Sequence, residues 1–319
     1  MRRCRSRPPS SRSRDSVRVP ALGGHSMTAS SSTFSRIAVA AWTLGCFGCH
    51  QQVARSEQNV TVGALSLHVV CSGEGSPPVV LDSGLAADST AWTEVQPAVA
   101  RFTQVCAYDR AGLGSGSPAP RPHTIHQMAA ELGGLLKSAR TRGPYVLVDH
   151  SMGAVTVRLL ANEHPGDVAG MILLDSMTGE QVSGYWPFIP DGQMKAFRES
   201  VGKLPEGIDF ASLAKELTEM KPDVPELGDK PLVVLVRGKE EGFRGASPEV
   251  KGQMLAAWQH EQSSLCGISK NGSYILAEQS GHAMQRDAPR LVVSAIQEVV
   301  EAARQRRDVD RGAIIRRAR

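Results

Sequence analysis

The 319-residue chain lacks the marks of several function classes. It has no H-E-x-x-H helix motif, no paired C-x-x-C motifs with partner ligands, and no glycine loop that would cradle phosphates. No metal or organic cofactor is therefore implied. No apolar run is long enough to span a bilayer, and no internal repeat is present. Cysteine is sparse, and beyond residue 50 only Cys71, Cys106 and Cys266 remain. The formal net charge of +4 gives no case for nucleic acid as a partner, because it is unevenly placed. Residues 1–26 carry seven arginines against one acid, Asp15, so the remaining chain is at −2. With 21% charged and 41% hydrophobic residues, the whole chain has the composition of a soluble globular protein.

What is present begins with two distinct N-terminal stretches. Residues 1–26 are rich in Arg, Ser and Pro without apolar periodicity, and read as disordered or as an extension upstream of a start at Met27. From Met27, a short segment with Arg36 precedes an apolar run from Ile37 to about Phe47, the length of a signal-peptide core. Cys46 and Cys49 each follow a glycine, as at a bacterial lipoprotein cleavage site, although Thr43 and Cys46 are atypical residues three places upstream. A C-x-x-C pair in such a region is not read as a metal or redox site. The expected localisation is export, to the periplasm or cell envelope or outside the cell, with a lipid anchor to the membrane as one form of it. The domain limits expected are a signal peptide over 27–49, a folded domain over 60–304, and a flexible tail over 305–319.

From Val60 onward, short aliphatic runs alternate with helical patterns. Strands are expected at Asn59–Val62, Leu65–Cys71, Pro78–Asp82, Gln104–Tyr108, Tyr145–Val148, Val168–Leu174, Leu232–Val236 and Ser273–Ala277. Helices are expected at Thr124–Ala139, Met152–Glu163, Pro248–Leu265 and Pro289–Arg304. The first two strands read as an antiparallel hairpin and the rest as parallel βαβ units. Residues 177–229 interrupt the alternation with aromatics, prolines and short helical pieces, and read as an inserted cap over the strand ends.

Within "YVLVDHSMGAV" a strand turns into a helix with Ser151 at the corner. That is the form of a nucleophile elbow, G-x-S-x-G, except that Asp149 replaces the first glycine. A serine hydroxyl is a poor nucleophile until a base within hydrogen-bond reach activates it. The alternative role for Ser151 is an ordinary helix N-cap.

Five stretches, "VVLDSGLAADSTAW", "VCAYDRAGLGSGSP", "PYVLVDHSMGAV", "VAGMILLDS" and "SGHAMQRDAP", resemble the α/β-hydrolase family in its order and spacing. Within it, the chain resembles exported bacterial hydrolases related to esterases and prolyl aminopeptidases. The resemblance implies an α/β-hydrolase fold: a mostly parallel eight-stranded sheet, helices on both faces and an inserted helical cap. It implies Ser151 as nucleophile and His282 as base, in the order Ser…acid…His. Two carboxylates compete for the acid. Asp175 ends "GMILLD", and Glu241, beside Glu240, stands after the next strand; Asp175 is taken first. The backbone N–H groups of Leu85 and Met152 are the implied oxyanion hole. Asp109, Arg110 and Gly112 read as structural. The resemblance also sets the strand of Cys71 beside that of Cys106 and so implies a disulfide, the alternative being two small buried side chains.

The activity implied is that of a serine hydrolase acting on a small-molecule ester, thioester or amide through an acyl-enzyme, carboxylesterase-like rather than peptidase-like. An acyltransferase or perhydrolase would differ only in the acceptor. A catalytically weak binding protein on the same fold is the alternative raised by Asp149. A carboxylate at that position adds bulk and, if ionised, negative charge near the oxyanion, so that Asp149→Gly is expected to raise kcat; turning to solvent, or protonation with a raised pKa, would spare the site that charge. Substrate identity and oligomeric state are not legible in the sequence.

Overall fold

The computed structural model describes residues 54–138, 142–219, 227–239 and 246–319. The expected signal segment with Cys46 and Cys49, the Arg-rich stretch before it, and Glu240 and Glu241 lie outside the described residues.

Eight strands form one sheet: β1 (Arg55–Val62), β2 (Leu65–Ser72), β3 (Val79–Asp82), β4 (Val105–Asp109), β5 (Tyr145–His150), β6 (Val168–Leu174), β7 (Pro231–Arg237) and β8 (Asn271–Ala277). Their order is β1-β2-β4-β3-β5-β6-β7-β8. β2 pairs antiparallel with both β1 and β4, and every other neighbouring pair is parallel. All residues of β3, β4, β5 and β7 are buried, as unbroken aliphatic strands covered on both faces must be.

Among the described residues, ten α-helices accompany the sheet. α1 (Gln96–Val99) precedes β4, α2 (Ile125–Ser138) precedes β5, and α3 (Gly153–Glu163) follows it. α4 (Gln181–Gly184), α5 (Asp191–Val201) and α6 (Phe210–Glu219) fall in the insertion between β6 and β7. α7 (Pro248–Ser264) precedes β8, and α8 (Met284–Asp287), α9 (Pro289–Gln305) and α10 (Arg311–Ala318) complete the chain. Alternating strand residues feed two cores. Leu147, Met171 and Val234 pack with Leu132 of α2, Val155 of α3 and Trp258 of α7 on one face. Val146, Ile172 and Val233 pack with Val99 of α1 and Val292, Ile296 and Val299 of α9 on the other.

Two details bear on the expectations. Cys71 and Cys106 are opposite one another in the β2–β4 register and are joined by a disulfide. The segment 305–319, expected as a flexible tail, carries the helix α10 over Arg311–Ala318. Asp310 caps α10, and Ile314 is fully buried in the α9 core. Arg307 and Arg317 both reach the buried carboxylate of Glu298. Sequence polarity hid this, because one apolar anchor and two arginines shared by a single buried acid leave no periodic signal.

Candidate active site

The site is built at the carboxyl ends of β5, β6 and β7 and in the loop after β8. Ser151 follows β5 with φ of +54°, a conformation that L side chains rarely adopt and that a sharp elbow demands. Its N–H donates to Leu174 O, and its C=O accepts from Met177 N–H, so both sides of the corner are tied to β6 and the chain after it. Gly153 permits the corner. A Cβ there would come within 2.8 Å of Ser83 O and 2.9 Å of Asp82 O.

Three side chains from separate elements converge. His282 Nε2 lies 3.0 Å from Ser151 Oγ. His282 Nδ1 lies 2.6 Å from Asp175 Oδ2. Asp175, just after β6 and also at positive φ (+47°), is wholly buried. Its Oδ1 accepts from Trp258 Nε1 at 2.6 Å and from the Arg237 N–H at 3.1 Å, and its Oδ2 accepts from Arg237 Nη1 at 2.7 Å. Burial alone would raise this carboxyl. The Arg237 charge and the hydrogen bonds from His282 and Trp258 overcome it and hold the pKa at about 2. Asp175 is therefore ionised well below neutral pH, the state required of a carboxylate that is to steady an imidazolium.

His150 supports His282. Its ring is 4.7 Å from the His282 ring, centroid to centroid, and its Nε2 lies 2.9 Å from the His282 carbonyl oxygen. Burial and the neighbouring imidazole lower its pKa to about 3. It is therefore neutral, and the contact to a carbonyl assigns the proton to Nε2. The N–H groups of Leu85 and Met152 have no protein acceptor among the described residues. Gly84 lets the β3 loop approach the elbow, since a Cβ there would lie 2.8 Å from His150 Nδ1 and 3.3 Å from Ser151 Cβ.

Ser151 and His282 open on a cavity of about 750 Å³. Met177, Tyr185, Trp186, Ile189 and Phe197, all from the segment between β6 and β7, form much of its apolar wall.

Asp149 does not face this cavity. Its carboxyl is buried behind the elbow, where Oδ1 accepts from Ser176 Oγ at 2.6 Å. Burial raises its pKa to about 8, against the opposing pull of the Ser176 hydroxyl and the Arg158 charge. Of the alternatives the sequence left open, the raised pKa is the one that applies: at neutral pH the group is predominantly the neutral acid, and it does not line the cavity. The helix–strand closeness expected of the first elbow glycine is supplied at Gly153.

Residues that sequence reading missed are Arg237, Trp258 and the supporting role of His150. Arg237 had a signal, being a charge that closes the apolar run "PLVVLVR". Trp258 had none, because its reach from α7 to Asp175 spans 83 residues.

The profile of the alpha/beta hydrolase fold matches residues 77–293. The chain belongs to the α/β-hydrolase family. A relative, the uncharacterized protein YqjL of Bacillus subtilis, is 31% identical over 248 residues, which are 77% of this chain and 93% of the relative. A carbamate hydrolase named RutD from Klebsiella pneumoniae, itself described as tentative, is 33% identical over 103 residues, covering 32% of this chain and 38% of that protein. Among solved structures, an esterase from Thermogutta terrifontis superposes with a TM-score of 0.56 at 20% identity, covering 78% of this chain and 99% of that one. The mouse α/β-hydrolase domain-containing protein 10 superposes with a TM-score of 0.59 at 18% identity, covering 77% and 98%. These two likenesses concern the fold of this α/β-hydrolase.

Proposed function

We propose that the protein is a serine hydrolase that cleaves an ester, thioester or amide through an acyl-enzyme, with a carboxylesterase-like activity foremost. The observation that carries this reading is the continuous chain Ser151 Oγ, His282, Asp175, with spacings of 3.0 and 2.6 Å. Ser151 Oγ attacks the acyl carbonyl while His282 Nε2 takes its proton. Asp175 holds the imidazole tautomer and stabilises the imidazolium. The N–H groups of Leu85 and Met152 receive the developing oxyanion. The tetrahedral adduct collapses with proton transfer from His282 to the leaving oxygen, sulfur or nitrogen. Water, deprotonated by the same imidazole, then releases the acid. An apolar acyl group fits the wall of Met177, Trp186, Ile189 and Phe197.

The test is labelling with a fluorophosphonate, which reacts quickly only with an activated serine, together with hydrolysis of a panel of aryl esters. The expected result is rapid labelling and turnover by the wild type, both abolished by Ser151→Ala. A wild type that neither labels nor turns over any ester would overturn the reading. We also propose export, from the Ile37–Phe47 run and from a disulfide at Cys71–Cys106 that an oxidising compartment preserves. N-terminal sequencing of protein recovered from the envelope and medium tests it, and an intact cytoplasmic chain would contradict it.

A further inference from the structure

Glu206 belongs to the segment between β6 and β7, yet its fully buried carboxylate is spent on the loop after β3. Its Oε2 accepts from the Ala86 N–H at 2.6 Å. Its Oε1 accepts from Arg110 Nε at 3.1 Å and Nη2 at 2.8 Å. Arg110, also buried, donates onward to Asp82 Oδ1 at 2.6 Å, Ser83 O at 2.7 Å and Gly84 O at 2.6 Å. One carboxylate and one guanidinium thus hold four positions from the end of β3 into the loop, 82, 83, 84 and 86, on either side of Leu85.

Peptide planarity turns this grip into an orientation. In a trans peptide the C=O and N–H point in opposite directions. Fixing the Gly84 carbonyl on Arg110 therefore turns the Leu85 N–H away from Arg110. Ala86, the next residue, is held at φ of +58°, a strained value for alanine that its N–H bond to Glu206 stabilises. The inserted segment that carries Glu206 is itself docked, backbone against backbone, on the chain after β4 that carries Arg110. A Cβ on Gly112 would lie 2.2 Å from Pro205 O, and one on Gly207 would lie 2.1 Å from Pro120 O. His123 adds a hydrogen bond to the Glu206 carbonyl at 2.9 Å.

We propose that Glu206 and Arg110 are positioning residues that set the Leu85 N–H for the oxyanion and make its geometry depend on the docking of the inserted cap. This rests on the serine-hydrolase reading above. A donor placed for the developing oxyanion acts mainly in the transition state, so its displacement lowers kcat while leaving KM nearly unchanged. Removing one such donor outright costs about 10²- to 10³-fold in kcat. Glu206→Gln keeps one acceptor but turns an amide NH2 toward a donor, and should lower kcat about tenfold. Glu206→Ala should lower it about 100-fold.

The experiment compares full-length wild type, Glu206→Gln, Glu206→Ala and Arg110→Lys on one aryl ester. Rates are normalised to serines titrated by a fluorophosphonate, and folding is checked by thermal melting. Hydrogen–deuterium exchange of the peptide spanning residues 83–88 reads the loop directly. The expected result is faster exchange in that peptide with a kcat loss of the stated size and KM within threefold. Because Glu206→Gln is nearly isosteric, it serves if Glu206→Ala does not fold. Unchanged exchange, or faster exchange with kcat within twofold of wild type, overturns the proposal while leaving the hydrolase reading intact. A merely structural role is recognised by a lowered melting temperature with unchanged kcat per titrated serine, and that too overturns it. Absence of Ser151-dependent turnover in the wild type overturns the hydrolase reading itself, and with it the catalytic half of this inference.

Discussion

Arg237 donates through Nη1 to Asp175 Oδ2 over 2.7 Å, the same oxygen that faces His282 Nδ1 at 2.6 Å. The guanidinium lies over the Trp258 ring at 4.4 Å and also donates to Tyr185 OH at 3.1 Å, so it is fixed in the wall of the cavity. It is the principal reason that a fully buried carboxyl stays ionised. Asp175 titrates at about 2 when folded, below the ordinary value near ~3.9. Its ionised form therefore adds stability above pH ~3.9, and that contribution is lost as pH falls toward about 2. Without Arg237, burial raises the folded pKa. Arg237→Gln should then unfold at a higher pH on the acid side and lose about 3 kcal/mol at pH 7, as expected for a broken buried ion pair. Thermal melts from pH 2 to 7 check this, and superimposable acid limbs for the two proteins would contradict it.

Asp175→Asn tests the acid directly. The amide cannot compensate an imidazolium and favours the wrong tautomer, so kcat should fall roughly 10⁴-fold with KM little changed. The control is circular dichroism, to show that the Trp258 and Arg237 contacts still support a native fold. A variant with near-wild-type kcat would hand the role to another carboxylate, with Glu241 first to be examined by Glu241→Gln.

Asp149 yields a prediction opposite in sense to the charge argument made from sequence alone. Its folded pKa of about 8 lies above the ordinary carboxyl value. Between pH ~3.9 and 8 the unfolded chain has lost this proton while the folded chain keeps it, so stability falls as pH rises through that window. Asp149→Asn removes the penalty and retains an acceptor for Ser176 Oγ. Its stability relative to wild type should grow between pH 5 and pH 8, by up to about 1.4 kcal/mol per unit. Urea melts at the two pH values measure it. At pH 7 its kcat should stay within about threefold of wild type. A large rise in kcat would restore the view that an ionised carboxylate impedes the oxyanion.

His150→Phe keeps a ring against His282 but removes the hydrogen bond to the His282 carbonyl. The loop carrying the base then loses its tie to the elbow, and kcat should fall about tenfold, the size of one lost 1.4 kcal/mol interaction. Steady-state kinetics on an aryl ester reads the effect. Because His150 is already neutral above about pH 3, the shape of the kcat profile between pH 5 and 9 should not change.

The strand runs at Val79–Asp82, Tyr145–His150 and Pro231–Arg237 were legible because strands buried on both faces need continuous aliphatic residues, and the sequence has no other use for such runs. The elbow was legible for a local reason: Ser151 and Gly153 are two residues apart, and the turn they make is written in adjacent positions. His282 was identified by order along the chain. The choice between Asp175 and Glu241 was open in sequence because each follows an aliphatic strand-like run, and alternation along a chain does not measure distance across a sheet. In the fold, the neighbours that decide the charge on Asp175 arrive from 62, 83 and 107 residues away, as Arg237, Trp258 and His282. The charge on Asp149 was open for the same reason, since ionisation depends on burial and on partners such as Ser176, neither of which a one-dimensional pattern contains. The sequence by itself determined where the strands lie and which serine stands at the corner. Only the tertiary structure decided which acids ionise, which side chains come within hydrogen-bond reach of Ser151, and how Glu206 comes to hold the loop of Leu85, because solvation and hydrogen bonding are properties of neighbours in space.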